Sequence, residues 1–296
     1  MALISPQSAT PRLLLLGGGY TLQRLAARLE PASFVITSRR AEQCAAWRDA
    51  GLIAHQVSIE HEDGGLTELF ARYPGIEVLI DSVPPLRSGD PAAGVKNVVH
   101  ALRVAPHVKR IMYLSTTGVF GVRDGSVVNE DTPPRPWNPQ GEARYVSELA
   151  YRESARAVTA LRLPAIYGPD RGIHVSLRAG SYRLVDDGSS WSNRIHVDDL
   201  ATVLYCAALF PLDRPLPPVL CVADDEPTQA RDVVRYICER EGIPFPASIS
   251  QEEVLRAGGY TMLSSQRVQN GLMKQVLGVE LQYPSFKSLF HPPGVR

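Results

Sequence analysis

Apolar runs of four to seven residues alternate along the chain with stretches whose apolar positions recur at helical spacing. The runs are LLLL (13–16), FVIT (34–37), IAHQV (53–57), VLIDSV (78–83), RIMYLST (110–116), VTALRL (158–163) and VLCVA (219–223). Near-continuous apolarity marks strands buried on both faces. Helical spacing falls near 20–30, 41–50, 65–73, 91–105, 141–156, 197–209 and 228–241. This alternation predicts an α/β fold, a doubly wound parallel sheet with helices on both faces. Right-handed crossovers then bring the turns that follow the strands to one edge, where such sheets bind ligands.

Two stretches break the pattern. DGSVVNEDTPPRPWNPQGE (124–142) is polar and proline-rich and reads as a long functional loop, and residues 167–196 are polar and irregular. From 224 onward the chain holds two helical segments and weak strand patterns.

The first strand runs directly into Gly17, Gly18 and Gly19, and then into the helical pattern YTLQRLA. A strand, a tight glycine turn and a helix N-terminus in that order present backbone N–H groups and the positive end of the helix dipole, which suit a pyrophosphate. Gly17 and Gly19 occupy the first two glycine positions of the dinucleotide fingerprint. Leu22 stands at the third, where glycine normally allows close helix–strand packing. Tyr20, Thr21 and Leu22 complete the turn. The expected organisation is therefore a flexible leader at 1–11, a Rossmann-type dinucleotide-binding domain at 12–166 plus 197–223, and a smaller substrate or lid lobe at 167–196 plus 224–296.

Composition narrows the partners. Of 296 residues 44% are apolar and 21% charged, and Lys plus Arg equals Asp plus Glu at 31 each. Such a balance offers nothing to nucleic acid or an anionic membrane. No apolar run approaches the roughly 18–20 residues that span a bilayer. MALISPQSATPR does not read as a signal peptide. Cys44, Cys206, Cys221 and Cys238 form no C-x-x-C pair, and the seven histidines include no H-E-x-x-H. A cytoplasmic location, a small-molecule partner and no metal are the expectations.

The second strand ends in ITSRR. An NAD-preferring site usually places an acid there for the ribose 2′-hydroxyl. Ser38, Arg39 and Arg40 instead suit a 2′-phosphate, so NADP is the expected cofactor and NAD the alternative. The fourth strand ends in DSVPP, where Ser82, Val83 and Pro84 allow close approach at the sheet edge. The fifth ends in Ser115, Thr116 and Thr117, and a later amphipathic helix carries Tyr145.

With YLSTTGVFG (113–121), LRLPAIYGPDR (161–171), NRIHVDDLA (193–201) and SSQRVQNGLMKQVLGVELQYPSF (264–286), the chain resembles the extended short-chain dehydrogenase/reductases. The likeness is to their atypical, NAD-dependent epimerase/dehydratase-like branch, over nearly the whole length. The resemblance implies that Thr116, four residues before the aromatic Phe120, is the active-site hydroxyl. It implies that Tyr145 opens the Y-x-x-x-K motif and transfers the proton. It places Ser115, Pro164, Ala165 and Ile166 at the cofactor, and Thr117, Tyr167, Arg171, Arg194 and His196 on the substrate side. Family members commonly dimerise, so a homodimer is implied too.

One departure divides the functional readings. The lysine of Y-x-x-x-K is Leu149 here, and Lys96, Lys109, Lys274 and Lys287 are the chain's only lysines. A free tyrosine titrates near ~10 and is a poor base at neutral pH without such help. One reading is an NADP-dependent enzyme acting on a hydroxyl or carbonyl of a small molecule, such as a nucleotide sugar. The other is an NADP-binding sensor or scaffold with a degraded site. Asp198 or Asp199 is expected to cap the helix that follows NRIHV.

Overall fold

The computed structural model describes residues 11–62 and 64–291. The expected leader lies outside these, apart from Pro11. In chain order the first elements are β1 (Leu13–Leu16), α1 (Tyr20–Ala26), β2 (Phe34–Ser38), α2 (Ala41–Asp49), β3 (Ala54–Gln56), α3 (Leu66–Arg72), β4 (Val78–Asp81), α4 (Ala93–Ala101) and β5 (Arg110–Thr116). Then come β6 (Val127–Val128), α5 (Pro139–Arg152), β7 (Ala157–Leu163), β8 (Ala165–Tyr167), α6 (Ile173–Arg178), β9 (Leu184–Val185), β10 (Trp191–Ser192), β11 (Arg194–His196) and α7 (Val197–Leu209). The chain continues with β12 (Val219–Cys221), β13 (Thr228–Gln229), α8 (Ala230–Glu241), β14 (Ser248–Ile249), α9 (Gln251–Arg256), β15 (Arg267–Val268) and α10 (Gly271–Leu277).

Seven strands form the central sheet in the order β12-β7-β5-β4-β1-β2-β3. β1 pairs in parallel with both β2 and β4, Leu14 lying opposite Val35 on one side and Leu79 on the other. The order reverses at β1, so the turn after it opens at a topological switch point. All four leucines of β1 are buried, as a strand covered on both faces requires.

The chain divides into two compact units. The first holds the described residues up to Ser115, Val146–Ala160 and Leu204–Pro218. Its core gathers Leu14, Leu16, Val35, Phe70, Leu79, Val98, Ile111 and Tyr151. The second holds Thr116–Tyr145, Leu161–Val203 and Val219 onward. One of its clusters centres on Tyr167, Val233, Val234 and Phe286, another on Phe120, Val128, Cys221 and Val268.

Several expected elements are redrawn. The polar stretch 124–142 contains β6 and the first turn of α5, which starts at Pro139 because proline is favoured at the first helical position. The stretch 167–196 contains α6 and four short strands in whole or part. Among the described residues beyond 224 there are three α-helices rather than two, α9 being opened by a capping box of Ser250 and Glu253. β4 stops at Asp81 instead of reaching Val83, since the Asp81 carboxylate accepts the Val83 N–H at 2.8 Å and turns the chain.

Candidate functional site

In the first unit, the turn after β1 is shaped by two glycines and left open by the third. Gly17 has φ +84°, and a Cβ there would lie 2.7 Å from Val83 Cγ2 and 3.2 Å from Ser82 Oγ. A Cβ on Gly18 would lie 2.3 Å from the Trp47 ring. Gly19 sits in ordinary extended conformation as the N-cap of α1, and a Cβ there would meet only Gly17 O, at 4.0 Å. No side chain caps α1 and no acid lies in its first turn. Of the residues expected at this turn, Thr21 and Leu22 are buried, while Tyr20 is half-buried with Arg24 over its ring at 5.9 Å. Ser82 donates to Gly17 O, tying β4's end to the turn.

At the end of β2, Ser38 Oγ accepts the Arg40 N–H at 3.1 Å. Arg39 pairs with Glu60 at 2.7 Å, both side chains being well exposed. Arg39 thus finds an acidic partner in the segment after β3. Arg40 reaches only Gln43, at 3.4 Å. Val83 and Pro84 follow at the neighbouring strand end, Val83 half-buried and its N–H engaged by Asp81.

Behind this edge lies buried polar chemistry that sequence reading missed. Tyr151 donates to Asp81 at 2.6 Å, and both are fully buried. Burial, and then the Asp81 charge, push the Tyr151 phenol well above its usual range, so it remains a donor. Ser115 donates to the buried Glu148 at 2.5 Å. The signals were present: an acid within the apolar run VLID, and a Glu and a Tyr three apart on one face of α5.

In the second unit, Thr116 closes β5, and its hydroxyl accepts the Gly118 N–H at 3.1 Å. Tyr145 is half-buried on α5. Leu149, one turn on and in the first unit, is 40% exposed. Thr117 is buried, and its carbonyl accepts from Gln266 at 3.1 Å.

The parallel pairing of β8 with β11 sets Arg194 beside Ala165, Ile195 beside Ile166 and His196 beside Tyr167. Pro164 and Ile166 are half-buried and Ala165 is exposed, whereas Tyr167, Arg194 and His196 are buried. Arg171 is exposed, its backbone bridging to Gly168. His196 stacks on Tyr283 with ring centroids 3.5 Å apart and meets Tyr167 edge-on at 5.1 Å. Its Nδ1 accepts the Asp198 N–H at 3.2 Å, so His196 itself caps α7. Of the two acids expected near this helix start, Asp198 and Asp199, the Asp199 carboxylate accepts the N–H groups of Gln282 and Tyr283, each at 2.8 Å, and fastens the tail segment to the helix. Burial, with Asp224 next in effect, raises the Tyr167 phenol, which donates to Ser285 O at 3.2 Å.

The sequence pattern of the NAD dependent epimerase/dehydratase family matches residues 14–215. The chain belongs to that family. Among solved structures similar to this family member, a functionally unknown conserved protein from Silicibacter pomeroyi is 31% identical with a TM-score of 0.74, over 95% of this chain and 99% of that one. MoeE5, solved with UDP-glucose and NAD, is 20% identical with a TM-score of 0.75 over 95% and 96%. WbmG of Bordetella bronchiseptica, solved with NAD, is 18% identical with a TM-score of 0.75 over 97% and 94%. No curated protein matches the chain. Among the described residues of this family member, no helix is long and apolar enough to cross a membrane, and no three His, Cys, Asp or Glu side chains group as a metal site.

Proposed function

We propose that the chain is an NADP-dependent oxidoreductase of the epimerase/dehydratase type, acting on a hydroxyl or carbonyl of a small molecule, with a nucleotide sugar as the leading candidate. The glycine turn carries the reading. Gly17 is required by conformation and Gly18 by packing, but nothing among the described residues requires Gly19. A missing side chain with open space above an uncapped helix start fits a phosphate that must approach the backbone.

Gly17, Gly19, Tyr20, Thr21 and Leu22 would hold the pyrophosphate, and Ser38, Arg39 and Arg40 the 2′-phosphate. The Arg39–Glu60 pair does not defeat this. An exposed ion pair is worth about 0.2–1 kcal/mol. A charge-assisted hydrogen bond to phosphate contributes about 1.5–3 kcal/mol. Arg39 therefore leaves Glu60 for a 2′-phosphate. Ser82, Val83, Pro84, Ser115, Pro164, Ala165 and Ile166 would line the rest of the dinucleotide.

When bound, the dinucleotide supplies a hydride donor or acceptor. Thr116 then holds the substrate oxygen by its hydroxyl, and Tyr145 gives or takes that oxygen's proton. Thr117, Tyr167, Arg171, Arg194 and His196 orient the substrate. With Leu149 in the lysine position, no ammonium one helical turn away supports a phenolate. Turnover is therefore expected to rise with pH. The protein is read as cytoplasmic from its cysteine usage and as a homodimer by resemblance.

Titration of the pure protein with NADP and NAD, followed by a panel of nucleotide sugars, tests the reading. Tight NADP binding with turnover that Tyr145→Phe removes is the expected result. Failure to bind either dinucleotide overturns it. The exposed Leu149 favours a second reading, a sensor or scaffold, which NADP binding without turnover on any substrate would establish.

A further inference from the structure

In the second unit, Gln266 lies just before β15 and reaches back 149 residues to the turn that follows β5. It is 2% exposed, and its Nε2 donates to Thr117 O at 3.1 Å. A carbonyl can only accept, so this contact fixes which way the amide faces. The backbone around Gln266 is held by Asn193, which is also buried. Asn193 Nδ2 donates to Gln266 O at 2.7 Å, and Asn193 Oδ1 accepts the Val268 N–H at 2.8 Å. Gln266 Oε1 is buried and meets no donor among the described residues. For packing alone an apolar chain of similar length would serve better, so the N–H donor is what glutamine brings to this position.

Thr117 O is one end of a peptide unit whose other end is the Gly118 N–H. That N–H donates to Thr116 Oγ1 at 3.1 Å. A peptide unit is planar and rigid, so holding its carbonyl sets the direction of its N–H. A donor on the carbonyl also polarises the N–H and strengthens the bond it makes in turn. The next carbonyl has little room to move, since a Cβ on Gly141, in the first turn of α5, would lie 2.7 Å from Gly118 O. Thr116 is half-buried, whereas Thr117 and Gln266 are buried. With one lone pair taken by the Gly118 N–H, the Thr116 hydroxyl keeps its own proton to give.

We propose that Gln266 is a positioning residue, which aims and polarises the Thr116 hydroxyl through the Thr117–Gly118 peptide. Asn193 and Gln266 thereby tie two later segments of the chain to a hydroxyl that a substrate can reach. The proposal rests on the reading of Thr116 as the group that holds the substrate oxygen, and adds a residue to it.

The relay is read by NMR on the full chain without cofactor, from the Gly118 amide and the Gln266 side-chain amide. Gln266→Met keeps the length and removes the donor. The Gly118 proton should then move upfield and exchange roughly threefold faster or more, while amides within β5 stay as they are. Thr116→Val should move the Gln266 side-chain signal from the other end, and this arm stands even if Gln266→Met does not fold. With a substrate the parent turns over, Gln266→Met should lower kcat about tenfold, the effect of one hydrogen bond, and leave KM and NADP affinity within about twofold. On a Thr116→Val background the same change should lower kcat no further, whereas a merely loosened turn would lower it again. An unmoved Gly118 amide, an unmoved Gln266 side-chain signal in Thr116→Val, an unchanged kcat, or a further fall on the Thr116→Val background would each overturn the proposal. A parent that binds no dinucleotide or turns nothing over would overturn only the functional reading above, because both amide signals are read without cofactor or substrate.

Discussion

Substituting Gly17 and Gly19 one at a time should separate what the turn does for folding from what it does for binding. Gly17→Ala forces an L side chain to φ +84°. The left-handed conformation costs roughly 1–2 kcal/mol. The new Cβ also lies 2.7 Å from Val83 Cγ2 and 3.3 Å from Val83 N, and Val83 N–H is fixed by Asp81 and cannot retreat freely. Overpacking of this kind adds about 1–3 kcal/mol. The expected loss is therefore about 2–5 kcal/mol, read as a lower urea midpoint. Gly19→Ala places a methyl at φ −81° with nothing closer than 4.0 Å. Its stability should stay within about 0.5 kcal/mol of the parent, or rise slightly as the unfolded chain loses freedom. Yet the same methyl occupies the space a pyrophosphate must enter. Loss of even one charge-assisted bond of about 1.5–3 kcal/mol weakens the dinucleotide tenfold or more. Gly19→Val should abolish binding and leave the fold. The assays are urea denaturation and fluorescence titration with NADP. A Gly19→Ala protein that binds NADP as tightly as its parent would refute a pyrophosphate at this turn.

Three further outcomes are expected. Tyr151→Phe keeps the ring against Tyr113 but strips a hydrogen bond from the buried Asp81, so it should cost about 1–3 kcal/mol. Because the folded Tyr151 pKa is raised, its contribution is complete below the unfolded value near ~10 and declines only as pH rises through the folded one, so that cost should be flat across neutral pH; denaturation at several pH values would expose any slope. Glu60→Gln should improve NADP affinity roughly twofold to fivefold by releasing Arg39 and leave NAD unaffected, whereas Arg39→Ala should bring the two dinucleotides together; equal NADP and NAD affinities in the parent would contradict the expected preference. Leu149→Lys at a 40% exposed helix position should alter stability by no more than about 0.5 kcal/mol and shift turnover toward lower pH, an effect absent when Tyr145 is also Phe; an unchanged pH profile would mean that Tyr145 does not handle the proton.

The central sheet was legible because its strands are buried on both faces, which leaves an apolar run that periodicity can find. β1 and β5 fall on 13–16 and 110–116, the ranges those runs mark. Ends were less legible where a single side chain or bond decides them. α1 stops at Ala26, short of residue 30, where Arg28 and Leu29 bond back three residues instead of four and Pro31 follows. The small ladders of the second unit carried at most weak strand patterns. β15 pairs with β6 across 140 residues with two residues on each side, and a two-residue strand has no period to detect. Separation in sequence likewise hid Asp81 from Tyr151, 70 residues on, and Arg39 from Glu60, 21 residues on. Each partner looks ordinary alone and becomes informative only when the fold brings them together.

The fold leaves the chemistry at α5 unconstrained, which is why sequence reading could place Tyr145 without deciding what it does. The buried face of this helix is occupied by Ser147, Glu148 and Tyr151, of which Glu148 accepts from Ser115 and Tyr151 donates to Asp81 within the first unit. Residues 145 and 149 lie together on another face, about 40° apart at 100° per residue. Core packing therefore does not explain why residue 149 is a leucine. Nor would core packing resist a lysine there, since a long amphipathic side chain rests easily at a half-open position. The departure from Y-x-x-x-K is then not a by-product of how this chain folds. On the functional reading proposed above, a substrate acidic enough to give up its proton without the lysine would fit it.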